Sequence, residues 1–154
     1  MVTIGRIEAR AHSRATEVLE RVEAAITNLF PLSVRENLKI SQTKVEGHAH
    51  IQMSIVAAVL TSENACQATL DYLVDSMSPK DKKSILRTID LRIDEDCTFF
   101  LRIDKQEAFL ERIQLATGPD VISVQVHFQH RPRCSPEDAL EYLSSRFGNV
   151  GGTS

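Results

Sequence analysis

The sequence predicts an α+β fold, a mostly antiparallel sheet with helices packed on one face. Two patterns carry this. Several stretches alternate apolar and polar side chains, the period of a strand with one dry and one wet face. Others space apolar residues three and four apart, as a helix with one buried stripe does. In chain order they read β-α-β-β-α-α-β-β-β-α.

Residues 4–12 form the first predicted strand, with Ile7, Ala9 and Ala11 inward and Arg6, Glu8, Arg10 and His12 on the other side. A helix is expected over 13–30 on the stripe Val18, Val22, Ala25, Ile26 and Leu29, capped by Ser13 or Thr16 and stopped by Pro31. Residues 38–45 form a strand with Lys39, Ser41 and Thr43 on one side, and Glu46-Gly47 turns the chain. Residues 50–60 form the next strand. Its expected core face is Ile51, Met53, Ile55, Ala57 and Val59, with Gln52 and Ser54 pointing away.

Residues 62–77 are helical on the stripe Cys66, Leu70, Leu73, Val74 and Met77. Ser78-Pro79-Lys80-Asp81 then restarts a helix: Ser caps, Pro suits the first helical position and Asp favours the positive end. Ser135-Pro136-Glu137-Asp138 repeats that grammar at the last helix, which buries Leu140, Leu143 and Phe147. Between them, residues 94–110 read as a hairpin. Cys97, Phe99, Leu101 and Ile103 alternate with Thr98, Phe100 and Arg102. Asp104-Lys105-Gln106 is the expected turn, leaving Lys105 and Gln106 exposed at its tip, and a second extended run follows over 107–115. Residues 121–130 are a long strand with Ile122, Val124, Val126 and Phe128 inward and Ser123, Gln125, His127 and Gln129 outward. The chain is expected to form one domain over 1–148, with a loose tail over 149–154.

Composition narrows the class. The apolar fraction is 42% and the charged fraction 25%, as in soluble globular proteins. No apolar run approaches the roughly 20 residues of a membrane span. The N-terminus lacks the apolar stretch of a signal peptide. Three widely spaced cysteines fit a reducing cytoplasm better than a disulfide framework. The net charge of −3 excludes a chain coated in basic groups, but nucleic-acid binding needs only a basic face.

Such a face is legible. The outward strand positions are Arg6, Glu8, Arg10, His12, Lys39, Ser41, Thr43, Gln52, Ser54, Thr98, Phe100, Arg102, Gln125, His127 and Gln129. Glu8 is the only acid among them, while Glu17, Glu20, Glu23, Glu63, Asp71, Asp75, Glu137, Asp138 and Glu141 sit on predicted helices. Cations neutralise phosphates, amides bond base edges and an exposed ring offers a stacking surface. A plain solvated sheet face favours the same residue types.

Metal chemistry is not expected. His127 and His130 lie an odd number apart on one strand and so face opposite ways, which keeps them from meeting with Cys134. His48 and His50 share a face without a third ligand. Asp90, Asp94, Glu95 and Asp96 read as an acidic loop, with a magnesium nuclease as the sharper alternative. No Gly-rich phosphate loop, nucleophile elbow or paired-Cys motif occurs.

The stretch Phe99-Phe100-Leu101-Arg102-Ile103-Asp104-Lys105-Gln106-Glu107-Ala108-Phe109-Leu110 resembles the signature of the archaeal RNA-binding, exosome-subunit family, an aromatic strand followed by Asp-Lys-Gln, a small residue and an aromatic. Val45-Glu46-Gly47-His48 is similar to a second motif of that family, and His12 with a helix opening near Thr16-Glu17 to a third. Two departures stand out: Ala49-His50-Ile51 replace Gly-Asn-Pro-like residues, and Glu111 stands where the family often has Gly. The resemblance implies the open-sheet fold of the ribosomal protein that holds 5S ribosomal RNA. It implies a cytoplasmic, non-enzymatic RNA-binding protein without cofactor or metal, an accessory of an RNA-processing or exosome complex. The expected RNA-contacting residues are Arg6, Arg10, His12, Lys39, Phe100, Arg102, Lys105, Gln106, Gln125 and His127. Two other classes stand beside this one: a protein-interaction module acting as a homodimer or complex subunit, and the metal-dependent nuclease.

Overall fold

The computed structural model describes residues 2–14, 17–46, 52–130 and 132–148. Among these residues, five strands and five helices follow one another as β1 (Thr3–Ser13), α1 (Leu19–Thr27), β2 (Lys39–Glu46), β3 (Gln52–Leu60), α2 (Glu63–Ser76), α3 (Pro79–Arg87), β4 (Thr98–Asp104), α4 (Lys105–Phe109), β5 (Val121–Gln129) and α5 (Pro136–Gly148). The strands form one sheet in the order β2-β3-β1-β5-β4, and every neighbouring pair is antiparallel. The fold is α+β, as the alternation and the helical stripes predict.

Residues directly opposite in such a ladder share a face. Ile7, Ala9 and Ala11 of β1 oppose Leu60, Ala58 and Val56 of β3, and Ile7 and Ala9 oppose Val126 and Val124 of β5. These join Phe99, Leu101 and Ile103 of β4 in one core with Val22, Ala25 and Ile26 of α1, Leu70, Leu73 and Val74 of α2, Ile85 of α3, and Leu143 and Phe147 of α5. The other sheet face is open. Gly5 marks a bulge in β1, where the register shifts between Ile4 and Arg6 and returns Ile4 to the core side. A Cβ at Gly5 would meet only the end of the exposed Gln129 side chain, which can swing aside.

Helix starts follow their caps. The Ser62, Ser78 and Ser135 side chains accept hydrogen bonds from the backbone N–H groups of Ala65, Asp81 and Asp138. Helix α1 differs. It begins at Leu19 behind Val18, which supplies no side-chain cap; Ser13 ends β1, and Thr16 lies outside the described residues. The helix ends at Thr27, short of Pro31, which opens a short 3-10 turn over Leu32–Asn37.

Two expectations are overturned. On β3 the core face is Val56, Ala58 and Leu60, so Met53, Ile55, Ala57 and Val59 lie on the open face and Ser54 takes the helical side. The run from Ile55 to Leu60 is apolar at every position, so it has no period; the register against β1 decides its parity. Ile51 and the Gly47-His48 motif lie outside the described residues. The second extended arm of the expected hairpin is also missing. After β4 the chain enters the single-turn helix α4, and residues 110–120 return irregularly, touching β4 through an isolated bridge between Ile103 and Leu115. Glu111, at the position where the resembling family often has Gly, takes φ 64°, the left-handed backbone that glycine adopts freely.

The parity of β3 has a direct test. Leu60→Ala should cost about 2–5 kcal/mol of stability, whereas Ile55→Ala on the open face should cost less than about 1.5 kcal/mol, read by chemical denaturation. Equal losses would contradict this register.

Candidate nucleic-acid interface

The ladders place the outward side chains in rows across the open face. One row runs Lys39, Val59, Glu8, Gln125, Phe100; the next runs Ser41, Ala57, Arg10, Ser123, Arg102. A third sets Arg6 beside His127 and Thr98, and a fourth Thr43 beside Ile55 and His12. Arg10 and Arg102 stand two strands apart, roughly 10 Å, with only the short Ser123 between them. Phe100 is 38% exposed, a large share for an aromatic ring on a sheet.

Charge on this face is less free than its composition suggests. The Glu8 carboxylate sits between Arg6 at 3.1 Å and Arg10 at 3.5 Å, so one acid serves two guanidinium groups. Among the described residues, Lys39 and Arg102 form no ion pair. A depression of about 380 Å³ opens at the Ser13 end of the face, lined by Arg10, His12, Arg14, Met53, Asp120 and Ser123 among others. Arg14 and Met53 were not among the expected site residues. Arg14 follows the strand directly and belongs to no period, and Met53 sits on the strand whose parity the sequence leaves open.

Lys105 is corrected most sharply. It is 4% exposed, not presented at a tip. Its Nζ donates to the His12 carbonyl at 2.9 Å and to Glu17 Oε1 at 3.0 Å, and pairs with Asp120 Oδ1 at 2.8 Å. Gln106 is exposed but donates to Asp120 Oδ2 at 2.7 Å. Asp104 caps α4 by accepting from the Glu107 N–H at 2.9 Å. Asp-Lys-Gln is therefore a fastening, in which each residue ties down a different part of the chain. Partial burial by itself would raise the Asp120 carboxyl, but hydrogen bonds from Gln106 and Lys105 and the charges of Lys105 and Arg14 outweigh it and hold the carboxyl below its usual range.

His127 is also constrained. Its Nδ1 lies 3.0 Å from Thr98 Oγ1, and its Nε2 is buried without a partner. Burial, then the charge of Arg6, pushes its pKa down, so the ring is neutral at pH 7 and adds no charge to the face. Gln125 is half-buried, and Arg10, His12, Lys39 and Arg102 are exposed.

Among the described residues the metal alternatives do not assemble; His48 and His50 lie outside them. His130 pairs with Asp138 at 3.1 Å, away from His127's partner Thr98. Asp94 Oδ1 accepts from the N–H groups of Asp96 and Thr98, making the acidic loop a turn that carries Cys97 at φ 61°. Among the described residues, no three His, Cys, Asp or Glu side chains are grouped to hold a metal ion. Burial raises the Cys66 thiol to about 11 and, with the neighbouring Cys134, the Cys97 thiol to about 12, so both are protonated and unreactive at neutral pH.

A protein-family model described as RNA binding matches residues 6–128, spanning β1 through β5. The chain belongs to this RNA-binding family. RNA-binding protein PAB1135 of Pyrococcus abyssi is 28% identical over 127 residues, which cover 82% of each chain. An uncharacterized protein of Methanocaldococcus jannaschii, MJ0213, is 24% identical over 149 residues, covering 94% of this chain and 99% of that one. Protein AF2318 from Archaeoglobus fulgidus, a crystal structure, superposes with a TM-score of 0.78 at 28% identity, covering 93% of this chain and 99% of that one.

In this member of the family the fastening at Lys105 should be measurable as stability. Breaking a fully buried ion pair costs about 3–5 kcal/mol; with Glu17 and Asp120 partly in water, Lys105→Ala should cost about 2 kcal/mol. An unfolded Asp titrates near 3.9, and the folded Asp120 lower. Its contribution is complete above about pH 4 and is lost as the pH falls through the folded value. Denaturation at stepped pH should show this acid limb in the wild type and a shallower one in Lys105→Ala. A variant as stable as the wild type would rule out the fastening.

Proposed function

We propose that the protein is a non-catalytic RNA-binding protein whose open sheet face takes single-stranded RNA. The observation that carries this is the pair of adjacent rows on β1, β5 and β4: Arg10, Ser123 and Arg102 beside Glu8, Gln125 and Phe100. Ser123 leaves a gap between two guanidinium groups in which a phosphate fits, and Phe100 supplies a ring beside it. Single-stranded RNA is favoured because its unstacked bases reach an aromatic side chain, whereas duplex bases do not. Lys39 at the far edge and Arg14 at the depression extend the cationic track. Val59 and Ile55 give the face apolar ground on which a ribose or base can lie. Lys105 and His127 act on this face by shaping it, not by touching RNA.

The acidic residues of α1, α2 and α5 disfavour phosphate on those three helices, which leaves them free for protein contacts. Together with the resemblance to exosome-subunit proteins, this supports an accessory role in an RNA-processing complex. Co-purification with such a complex should survive ribonuclease treatment if the helical layer makes the contact; capture that depends wholly on RNA would refute that role.

Labelled RNA titrated at several salt concentrations tests the face. Arg102→Ala should flatten the logarithmic salt dependence by about 0.7 and weaken all sequences together, because a phosphate contact positions the ligand without reading it. Phe100→Ala should lose about 1–3 kcal/mol of stacking and leave the slope unchanged. Folded variants that both bind like the wild type would remove the sheet face as the site.

A further inference from the structure

We infer that a second phosphate site lies off the sheet face, in the cavity between helix α3 and the β4 edge. It follows from the reading of the open face as an RNA platform and extends it around that edge. The cavity has a volume of about 600 Å³. Lys80 and Arg87 reach it from α3, Arg92 from the 3-10 turn Ile89–Arg92, and Arg102 from β4; residues 114–117 form the opposite wall. The one acid in its lining is Asp81, whose Oδ2 is already engaged by the Leu115 N–H at 3.0 Å. Among the described residues none of the four cations forms an ion pair. Arg92 is held by its Nε, which donates to Thr88 Oγ1 at 2.9 Å, so its terminal nitrogens keep their donors.

Four like charges around one concavity repel one another, and the single carboxylate of Asp81 offsets them only in part. An anion would. Guanidinium forks match phosphate oxygens in pairs, and three of the four cations are arginines. The volume exceeds what a bare phosphate fills and falls in the range of small-molecule sites, leaving space for the attached sugar. Arg102 ties the cavity to the face, because it belongs to the row beside Phe100 and also lines the cavity. A strand that crosses Phe100 toward the β4 edge meets the cavity next. The phosphate it takes is either an internal phosphodiester of a strand turning the edge or the phosphomonoester at a strand end.

The test uses the whole protein with short oligouridylates bearing a 5′-phosphate, a 3′-phosphate or neither, titrated at several salt concentrations. Arg87→Ala and Lys80→Ala change exposed side chains outside the core. Each should flatten the salt slope by about 0.7 and weaken binding several-fold. If a terminal phosphate steepens the slope for the wild type and not for Arg87→Ala, the cavity holds the strand end. If Arg87→Ala flattens the slope equally for all three oligonucleotides, it holds an internal phosphate. Wild-type slopes in both variants, with binding still weakened by Phe100→Ala, would overturn the cavity site and leave the sheet face standing. Weakening by Arg87→Ala and Arg102→Ala with Phe100→Ala silent would uphold the cavity and overturn the face. Absence of wild-type binding to any RNA would overturn both.

Discussion

The Lys105 ammonium group is the constraint on which the open face depends. One side chain holds the last turn of β1 through the His12 carbonyl, the approach to α1 through Glu17, and the approach to β5 through Asp120. Those three segments border the depression that Arg10, His12 and Arg14 line. A nearly buried cation is costly unless hydrogen bonds and carboxylates surround it, and here they come from three distant parts of the sequence. The result is a sheet corner whose side chains are placed before any ligand arrives.

The sheet separates two environments with very different requirements. On the helical side, every strand except β2 contributes fully buried residues. Strand β2 runs past that cover: Ile40, on the helical side, is 44% exposed, and the strand is wet on both faces. On the open side, apolar Ile55, Ala57 and Val59 lie beside the charged β1 row. Such a mixture suits a surface that meets both the charged backbone and the flat bases of a nucleic acid.

Strands β1, β4 and β5 were legible because their polar residues fall on one parity, and so the placement of Arg6, Arg10, Phe100, Arg102 and Gln125 was legible too. Strand β3 was not, because six successive apolar residues carry no phase and only pairing with β1 supplies it. The role of Lys105 was hidden by a real ambiguity: Asp-Lys-Gln suits a turn tip and a helix start equally. A discriminating sign was present in Glu107, three residues after Asp104, which is the spacing of a helix cap. The partners Glu17 and Asp120, like the meeting of Arg87 with Arg102, depend on topology, which no local pattern encodes. The start of α1 lacked any capping side chain to announce it.

Glu8 sets a tethered rival beside two arginines of the open face. If that face takes RNA as proposed, a phosphate arriving at Arg6 or Arg10 would have to displace this carboxylate, which would return as soon as the phosphate shifted. Contacts there would then form with a smaller gain and dissolve faster than contacts at Arg102, which forms no ion pair among the described residues. Such a face would favour short residence, with a strand handed on or slid along while held chiefly at one edge.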